Sequence, residues 1–307
     1  MSDLKPEILS PAGTNESLAA AVRCGADAVY LGAKNFSARR NAENFGTAEL
    51  AEAVGYCHER GVKVYLTLNT MIKSKELYDA FETAKKAYES GADAIIISDL
   101  GLADVLRREI PDFSLHGSTQ LSVHSPAALS ILKEKGFTRV VLSREMSFNQ
   151  IADFCRKARK MCIETEVFVH GALCMSLSGQ CLLSSMIGQR SGNRGLCAGP
   201  CRLPFSACGL NEKRYDLSLK DLSLVSHINE LKEIGVDSLK IEGRMKRPEY
   251  VAAATAVCRL RADGRKDREL EKNLMKIFSR SGFTDGYFTG IKGAEMFGTR
   301  TKDDVIS

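Results

Sequence analysis

The sequence predicts an α/β protein built as a (β/α)8 barrel. One phrase recurs along the chain: CGADAVYLG at 24–32, SGADAIIIS at 90–98, KGFTRVVLS at 135–143 and IGVDSLKIEG at 234–243. Each reads as a helix ending on glycine, a short turn, then an apolar β-rich run. Glycine at that place caps a helix C-terminus because it takes the left-handed conformation at little cost. The runs are short and apolar on both faces, as strands of a buried parallel sheet are. Strands are expected at Ile8–Pro11, Ala28–Gly32, Lys63–Asn69, Ala94–Ser98, Ser114–Ser118, Arg139–Ser143, Glu166–Val169 and Ser238–Glu242. Eight such units favour the barrel over a doubly wound open sheet.

The intervening segments carry helical periodicity and start signals. Thr47–Arg60 opens on a threonine suited to an N-cap, and 74–90, 125–135 and 147–161 each open on serine. Pro126 and Pro248 sit in first turns, where the missing N–H costs nothing. Asp216–Ser223 is expected to add a small strand and turn. The barrel is expected to occupy 1–264, with a cysteine-rich insertion at 171–214 between strands seven and eight, at the C-terminal mouth where such barrels place chemistry. Residues 265–307 read as a charged helix and a Gly-rich aromatic tail, expected to begin a longer C-terminal region.

The composition is that of an ordinary globular chain: 307 residues, 44% hydrophobic, 26% charged. No run reaches the ~18 apolar residues of a membrane span, and MSDLKPEILSPAG lacks the features of a signal peptide. No membrane partner is expected, and ten cysteines then read as reduced, cytoplasmic thiols. The net charge of +5 is uneven. Gln189–Arg214 has five basic residues against one acidic, and Lys240–Arg268 has nine against four, which points to a polyanionic partner. Aromatics total 7% with no tryptophan, so no stacking platform for single-stranded RNA is visible.

Four cysteines gather in the insertion: Cys174, Cys181, Cys197 and Cys201, spaced C-x6-C-x15-C-x3-C. A Gly-rich polar segment cannot order itself by packing, and metal ligation supplies that free energy. Structural zinc prefers two tight knuckles, and only Cys197–Cys201 is tight. Loops of wider spacing suit a 4Fe–4S cluster, with zinc and disulfides as alternatives. Cys24, Cys57, Cys155, Cys162, Cys208 and Cys258 are expected mostly to pack in helices.

Residues 166–184 carry E-x-F-x-x-G-A-L-C-x4-G-x-C-x-L-S, in which Glu166, Phe168, Gly171, Cys174, Gly179, Cys181 and Ser184 all stand in place. This resembles the signature of peptidase family U32, the collagenase-like peptidases. LSPAGTNESLAAAVRCGADAVYLG, STQLSVHS, NRGLCAGPC and KIEGRMKRPEYV look like further landmarks, so the resemblance covers almost the whole chain. It implies the same barrel. It also implies that Cys174, Cys181, Cys197 and Cys201 ligate a 4Fe–4S cluster. Bacterial members of this type hydroxylate RNA pyrimidines, cytidine in 23S rRNA or the wobble uridine of tRNA, and depend on prephenate; another branch serves ubiquinone hydroxylation through paired subunits. The expected partners are therefore RNA, a small acidic molecule and an electron donor.

The family name suggests proteolysis, but the residues give it little. His58-Glu59 lacks the second histidine of H-E-x-x-H, and Ser176 and Ser178 lack the G-x-S-x-G elbow. A Cys174–His170 dyad would consume a cluster ligand. For hydroxylation, a charged ring at the strand ends is expected: Arg39, Arg40, Asn69, Gln120, Arg144, Glu145, His170, Glu242 and Arg244. Arg144 and Arg244 suit anion contacts, because a guanidinium pairs bidentately with carboxylate or phosphate. Glu242 and Glu145 suit proton transfer or base orientation. Salt bridges within Arg144–Glu145 and Glu242–Arg244, merely closing the barrel end, are the competing reading. His170 reads either as a partner of a cluster sulfur or as a satisfied polar residue. His116 and His124 read as structural.

Overall fold

The computed structural model describes residues 5–39, 43–206, 214–279 and 281–298. Arg40 and Cys208, both singled out above, lie outside the described residues.

Eight parallel strands close into a barrel: β1 (Glu7–Pro11), β2 (Ala28–Gly32), β3 (Lys63–Leu68), β4 (Ala94–Ile97), β5 (Ser114–Gly117), β6 (Phe137–Val141), β7 (Glu164–Gly171) and, after a short strand β8 (Asp221–Ser223), β9 (Ser238–Ile241). Closure comes from β9, which pairs in parallel with both β1 and β7. Helices α1 (Asn15–Arg23), α2 (Thr47–His58), α3 (Leu77–Glu89), α4 (Leu100–Glu109), α5 (Leu129–Glu134), α6 (Phe148–Lys160), α8 (Ile228–Glu233) and α9 (Pro248–Ala262) follow the barrel strands in turn. A further helix, α7 (Leu183–Gly188), lies inside the insertion.

Strand alternation sorts the core into two layers. Ile8, Val29, Leu31, Val64, Leu66, Ile95 and Ile97 face the helices and belong to the main apolar cluster. Leu9, Ala28, Tyr30, Tyr65, Ala94 and Ile96 face inward and form a separate plug. Beside and below the plug the barrel interior is charged. Arg139 donates to Glu7 at 2.5 Å and to Glu164 at 2.7 Å, and Lys240 donates to Glu166 at 2.6 Å. Burial weakens the Lys240 charge, and Glu166 offsets part of that effect. His116 stacks edge-on against Tyr65 with ring centroids 4.8 Å apart. It therefore serves the barrel floor.

Strand β8 pairs antiparallel with the end of β7. It in turn carries β10 (Phe283–Thr284). Helix α10 (Arg268–Ile277) and helix α11 (Gly286–Thr289) flank β10. Phe278, Phe288 and Met296 are buried in the main core, so the described part of the tail packs against the barrel. Cys57, Cys155 and Cys258 are buried as expected, but Cys162 is exposed. It occupies the turn before β7 at φ 54° rather than a helix face.

Candidate active site at the barrel mouth

The chain leaves β7 through Gly171 at φ 128°, and a Cβ there would stand 2.6 Å from the Cβ of Glu242. Only glycine lets the insertion turn so tightly over β9. Gly179, at φ 78°, lies against the backbone of Gln120, whose carbonyl oxygen would stand 2.5 Å from an added Cβ. The two glycines of the signature thus seat the Cys174–Cys181 loop on the mouth. Side chains complete the seating. Glu145 accepts from the Ser178 N–H and hydroxyl, both at 3.1 Å. Gln180 donates to Ser122 at 2.8 Å. Arg202 donates to the carbonyls of Leu173 and Leu219, tying the far end of the insertion to its root.

Beneath the loop lies a pocket of about 90 Å³, lined by Arg39, Arg144, Lys240, Glu242 and Arg244 among others. Lys240, Glu242 and Arg244 come from the run KIEGR; with a side-chain period of two, all three point inward. Glu242 pairs with Arg39 at 3.0 Å. Burial disfavours its charge, but Arg39 and Arg144 outweigh that and hold its carboxyl near pH 2. Arg144 stacks on Phe168 with its guanidinium carbon 3.9 Å from the ring centroid. Arg244 is 6% exposed and, among the described residues, donates only to neutral hydroxyls, Ser37 at 2.7 Å and Thr67 at 2.8 Å. Burial, with Arg39 nearby, pushes it down to about 10. Asn69 braces this wall, accepting from the Ala38 N–H at 3.0 Å.

The salt bridges weighed from sequence therefore do not form among the described residues. Arg144 leaves Glu145 for Phe168, Glu145 turns to Ser178, and Glu242 takes Arg39 instead of Arg244. Arg144 and Arg244 face the pocket without a salt bridge of their own among the described residues, although Glu242 acts on both at longer range.

His170 is not brought into the pocket. Two β7 residues, Val169 and His170, oppose one residue of β9 there, a β-bulge. The bulge reverses the alternation that sends Glu166 and Phe168 inward. His170 turns outward and meets Tyr250 at 2.9 Å, within a box of Tyr250, Phe278 and Phe283. Burial pushes it down to about 3, so it is neutral. The Tyr250 hydroxyl donates to the Glu242 carbonyl at 2.9 Å, so this box braces β9. No hydrogen bond joins His170 to Cys174 among the described residues. His124 contacts the Ser122 carbonyl at 2.7 Å and stays outside the pocket.

The four cysteines share the rim. Burial raises the Cys201 thiol first, and the charges of Cys174, Cys197 and Cys181 raise it further, so the other three sulfurs lie within electrostatic reach of it. Cys174 also lines the pocket and acts on Arg39. The Gly199 N–H points to the Cys197 sulfur at 3.3 Å. An all-sulfur donor set with a backbone N–H turned to one sulfur fits an iron–sulfur cluster, and also zinc. Among the described residues no three Cys, His, Asp or Glu side chains stand in ligating positions. The other three thiols thus lie near enough to act on Cys201, and no closed ligation geometry stands among the described residues.

Sequence reasoning missed Lys240, Tyr30 and Thr67 in this pocket, and Ser37, which accepts from Arg244 behind it. For Lys240 the signal was available: it shares parity with Glu242 and Arg244 along KIEGR.

A (β/α)8 barrel with a cysteine-bearing cap over an arginine-lined mouth is the class of protein that fold and site define. The family model described as peptidase family U32 matches residues 13–298, and the chain belongs to that family. It is 36% identical over 319 residues to the tRNA hydroxylation protein P1 of Bacillus subtilis, covering 97% of this chain and 75% of that protein. It is 36% identical over 312 residues to the 23S rRNA 5-hydroxycytidine synthase of Escherichia coli, covering 95% of this chain and 47% of that protein. It is also 36% identical over 308 residues to a collagenase of Porphyromonas gingivalis, covering 92% and 73%. Among solved structures, the U32 peptidase Mk0906 superposes with a TM-score of 0.52 at 13% identity, covering 79% of this chain and 95% of that one. That likeness speaks for the barrel alone. No described helix is long and apolar enough to cross a membrane.

Proposed function

We propose that this protein is an RNA-modifying hydroxylase that adds a hydroxyl to a pyrimidine, in tRNA or in 23S rRNA. The observation that carries the reading is a cysteine-bearing loop, with Cys174 in the lining, over a pocket where Arg144 and Arg244 make no salt bridge among the described residues. Relatives named for tRNA and rRNA hydroxylation, at 36% identity over nearly the whole chain, support it.

Cys174, Cys181, Cys197 and Cys201 would hold a 4Fe–4S cluster, which when bound supplies one-electron chemistry at the rim. Arg144 and Arg244 would take the two carboxylates of a small acidic co-substrate, of which prephenate is the candidate. Inserting one oxygen into a ring C–H oxidises the base by two electrons, and the oxygen-donating co-substrate accepts them. Glu242 is held ionised by Arg39 and would accept a hydrogen bond at the pocket wall. Glu145 keeps the thiol loop seated, and the neutral His170 supports Glu242 through Tyr250.

Anaerobic purification should give a brown protein with about four irons per chain, lost on Cys197→Ala. A colourless protein with stoichiometric zinc would reject the cluster. RNA from a deletion strain should lose a hydroxylated pyrimidine by nucleoside mass spectrometry, and an unchanged nucleoside inventory would reject the RNA reading. Gelatin cleavage that survives Cys174→Ala would favour peptidase chemistry instead.

A further inference from the structure

The insertion carries an apolar ridge that the fold does not cover. Met186 is 81% exposed, Ile187 64%, Leu182 59% and Leu177 59%. Leu177 lies in the loop that roofs the pocket, and Leu182 leads into α7. Soluble proteins rarely leave such a group of large aliphatics open at the edge of a pocket without using it.

The charge around the ridge is one-sided. Residues 172–206 contain Arg190, Arg194 and Arg202 and no aspartate or glutamate. The neighbouring loop adds exposed Lys73 and Lys75. That loop is fixed to the insertion: the Met71 N–H donates to the Asn193 carbonyl at 3.2 Å, and Arg194 pairs with Glu76 at 2.8 Å. Glu76 is thus already spent on Arg194, and Lys73 and Lys75 are left facing solvent.

We infer that this ridge is a wedge for RNA: Met186, Ile187 and Leu182 enter the stack beside the target pyrimidine, while Lys73, Lys75 and Arg190 hold the flanking phosphates. The inference rests on the RNA reading above and adds the surface that would deliver the base. A base inside a stack cannot reach the pocket beneath the thiol loop; enzymes acting on bases extrude them. Aliphatic side chains such as Leu, Ile and Met unstack bases by insertion, which needs no aromatic platform. The phosphate contacts follow from a rim whose one acidic group facing the insertion, Glu76, is already paired with Arg194. A second copy of this chain is disfavoured as the occupant, because two such basic rims repel.

The test uses two RNA hairpins, a tRNA anticodon stem-loop and a 23S rRNA hairpin, each with 2-aminopurine next to the candidate pyrimidine. The anaerobically purified protein should raise the fluorescence of one of them on binding. Met186→Ser with Ile187→Ser should bind that hairpin within about threefold of wild type but lose the rise, since charge carries the affinity. Lys73→Glu with Lys75→Glu should weaken binding roughly tenfold or more and flatten its salt dependence. All four positions are exposed, so an unchanged melting temperature controls for folding. The wedge is overturned if wild type leaves both hairpins stacked, or if the Met186/Ile187 variant unstacks as well as wild type. A stable complex with an acidic protein, lost in that variant while unstacking persists, would assign the ridge to a protein partner. Nucleoside mass spectrometry of the deletion strain separately decides the RNA reading: a lost hydroxypyrimidine with unaltered unstacking by the variant sinks the wedge alone.

Discussion

Replacing Arg244 by methionine should leave the empty protein as stable or make it more stable, while sharply weakening its hold on a dicarboxylate. The guanidinium is 6% exposed, donates only to Ser37 and Thr67, and has no carboxylate partner among the described residues. Burial lowers it well below the usual guanidinium range, to about 10, and at ~1.36 kcal/mol per tenfold change in acidity this is a charging cost of ~3 kcal/mol. Methionine fills similar space with no charge to desolvate, and buried ionic groups replaced this way are often neutral or stabilising by ~1–4 kcal/mol. The Thr67 hydroxyl keeps its bond to the Leu31 carbonyl at 2.9 Å, so little is left unpaired. A bound carboxylate would compensate the Arg244 charge, so losing the arginine should cost ~2–3 kcal/mol of binding, about 30- to 150-fold in Kd. Thermal unfolding and titration calorimetry with prephenate read the two effects separately. An Arg244→Met protein that unfolds more than ~2 kcal/mol more easily yet binds prephenate as wild type would refute the idea of a cation held in reserve for a ligand.

Three further outcomes follow from the same geometry. Glu242 is depressed from 4.5 to about 2, so its contribution to stability is complete above pH ~4.5 and fades as pH falls towards 2; it is of order 3 kcal/mol, and Glu242→Gln should flatten that acid limb in urea titrations. Gly171→Ala should destabilise by roughly 2–4 kcal/mol in denaturant melts, because φ 128° suits only glycine and the new Cβ meets Glu242. His227 sits between Glu230 at 2.7 Å and Asp285 at 2.8 Å, and although burial opposes its charge, the two carboxylates raise it. Its contribution is therefore full below pH ~6.5 and lost as pH rises through the raised value; the protection of α11 amides, corrected for the intrinsic pH dependence of exchange, should fall as pH rises above ~6.5, and His227→Gln should remove that fall.

The strand positions were legible in the sequence to within about two residues, because a buried parallel sheet demands continuous apolar runs and five of the eight, β2, β3, β4, β6 and β9, were announced by a capping glycine. The place of the cysteines was equally legible, since a Gly-rich segment between the seventh and eighth barrel strands has only the barrel mouth to cross. Partnership was not. Arg144 and Glu145 are chain neighbours and still part company, one to the Phe168 ring and one to the Ser178 hydroxyl, because adjacent residues leaving a strand end point in different directions. Glu242 finds its counter-ion 203 residues away in Arg39, a pairing that exists only because β2 and β9 both border β1.

His170 shows the limit most clearly. Period-two counting from Glu166 and Phe168 sends it into the pocket, and a single extra residue on β7 opposite Ile241 sends it out to Tyr250. By itself the sequence determined the barrel, the mouth and the set of charged and sulfur-bearing side chains available there, because periodicity and capping are local properties. Only the tertiary structure decided which of them face one another, which cations are left without a salt bridge among the described residues and which histidine is walled off, because those depend on register and closure, which no local stretch of chain encodes.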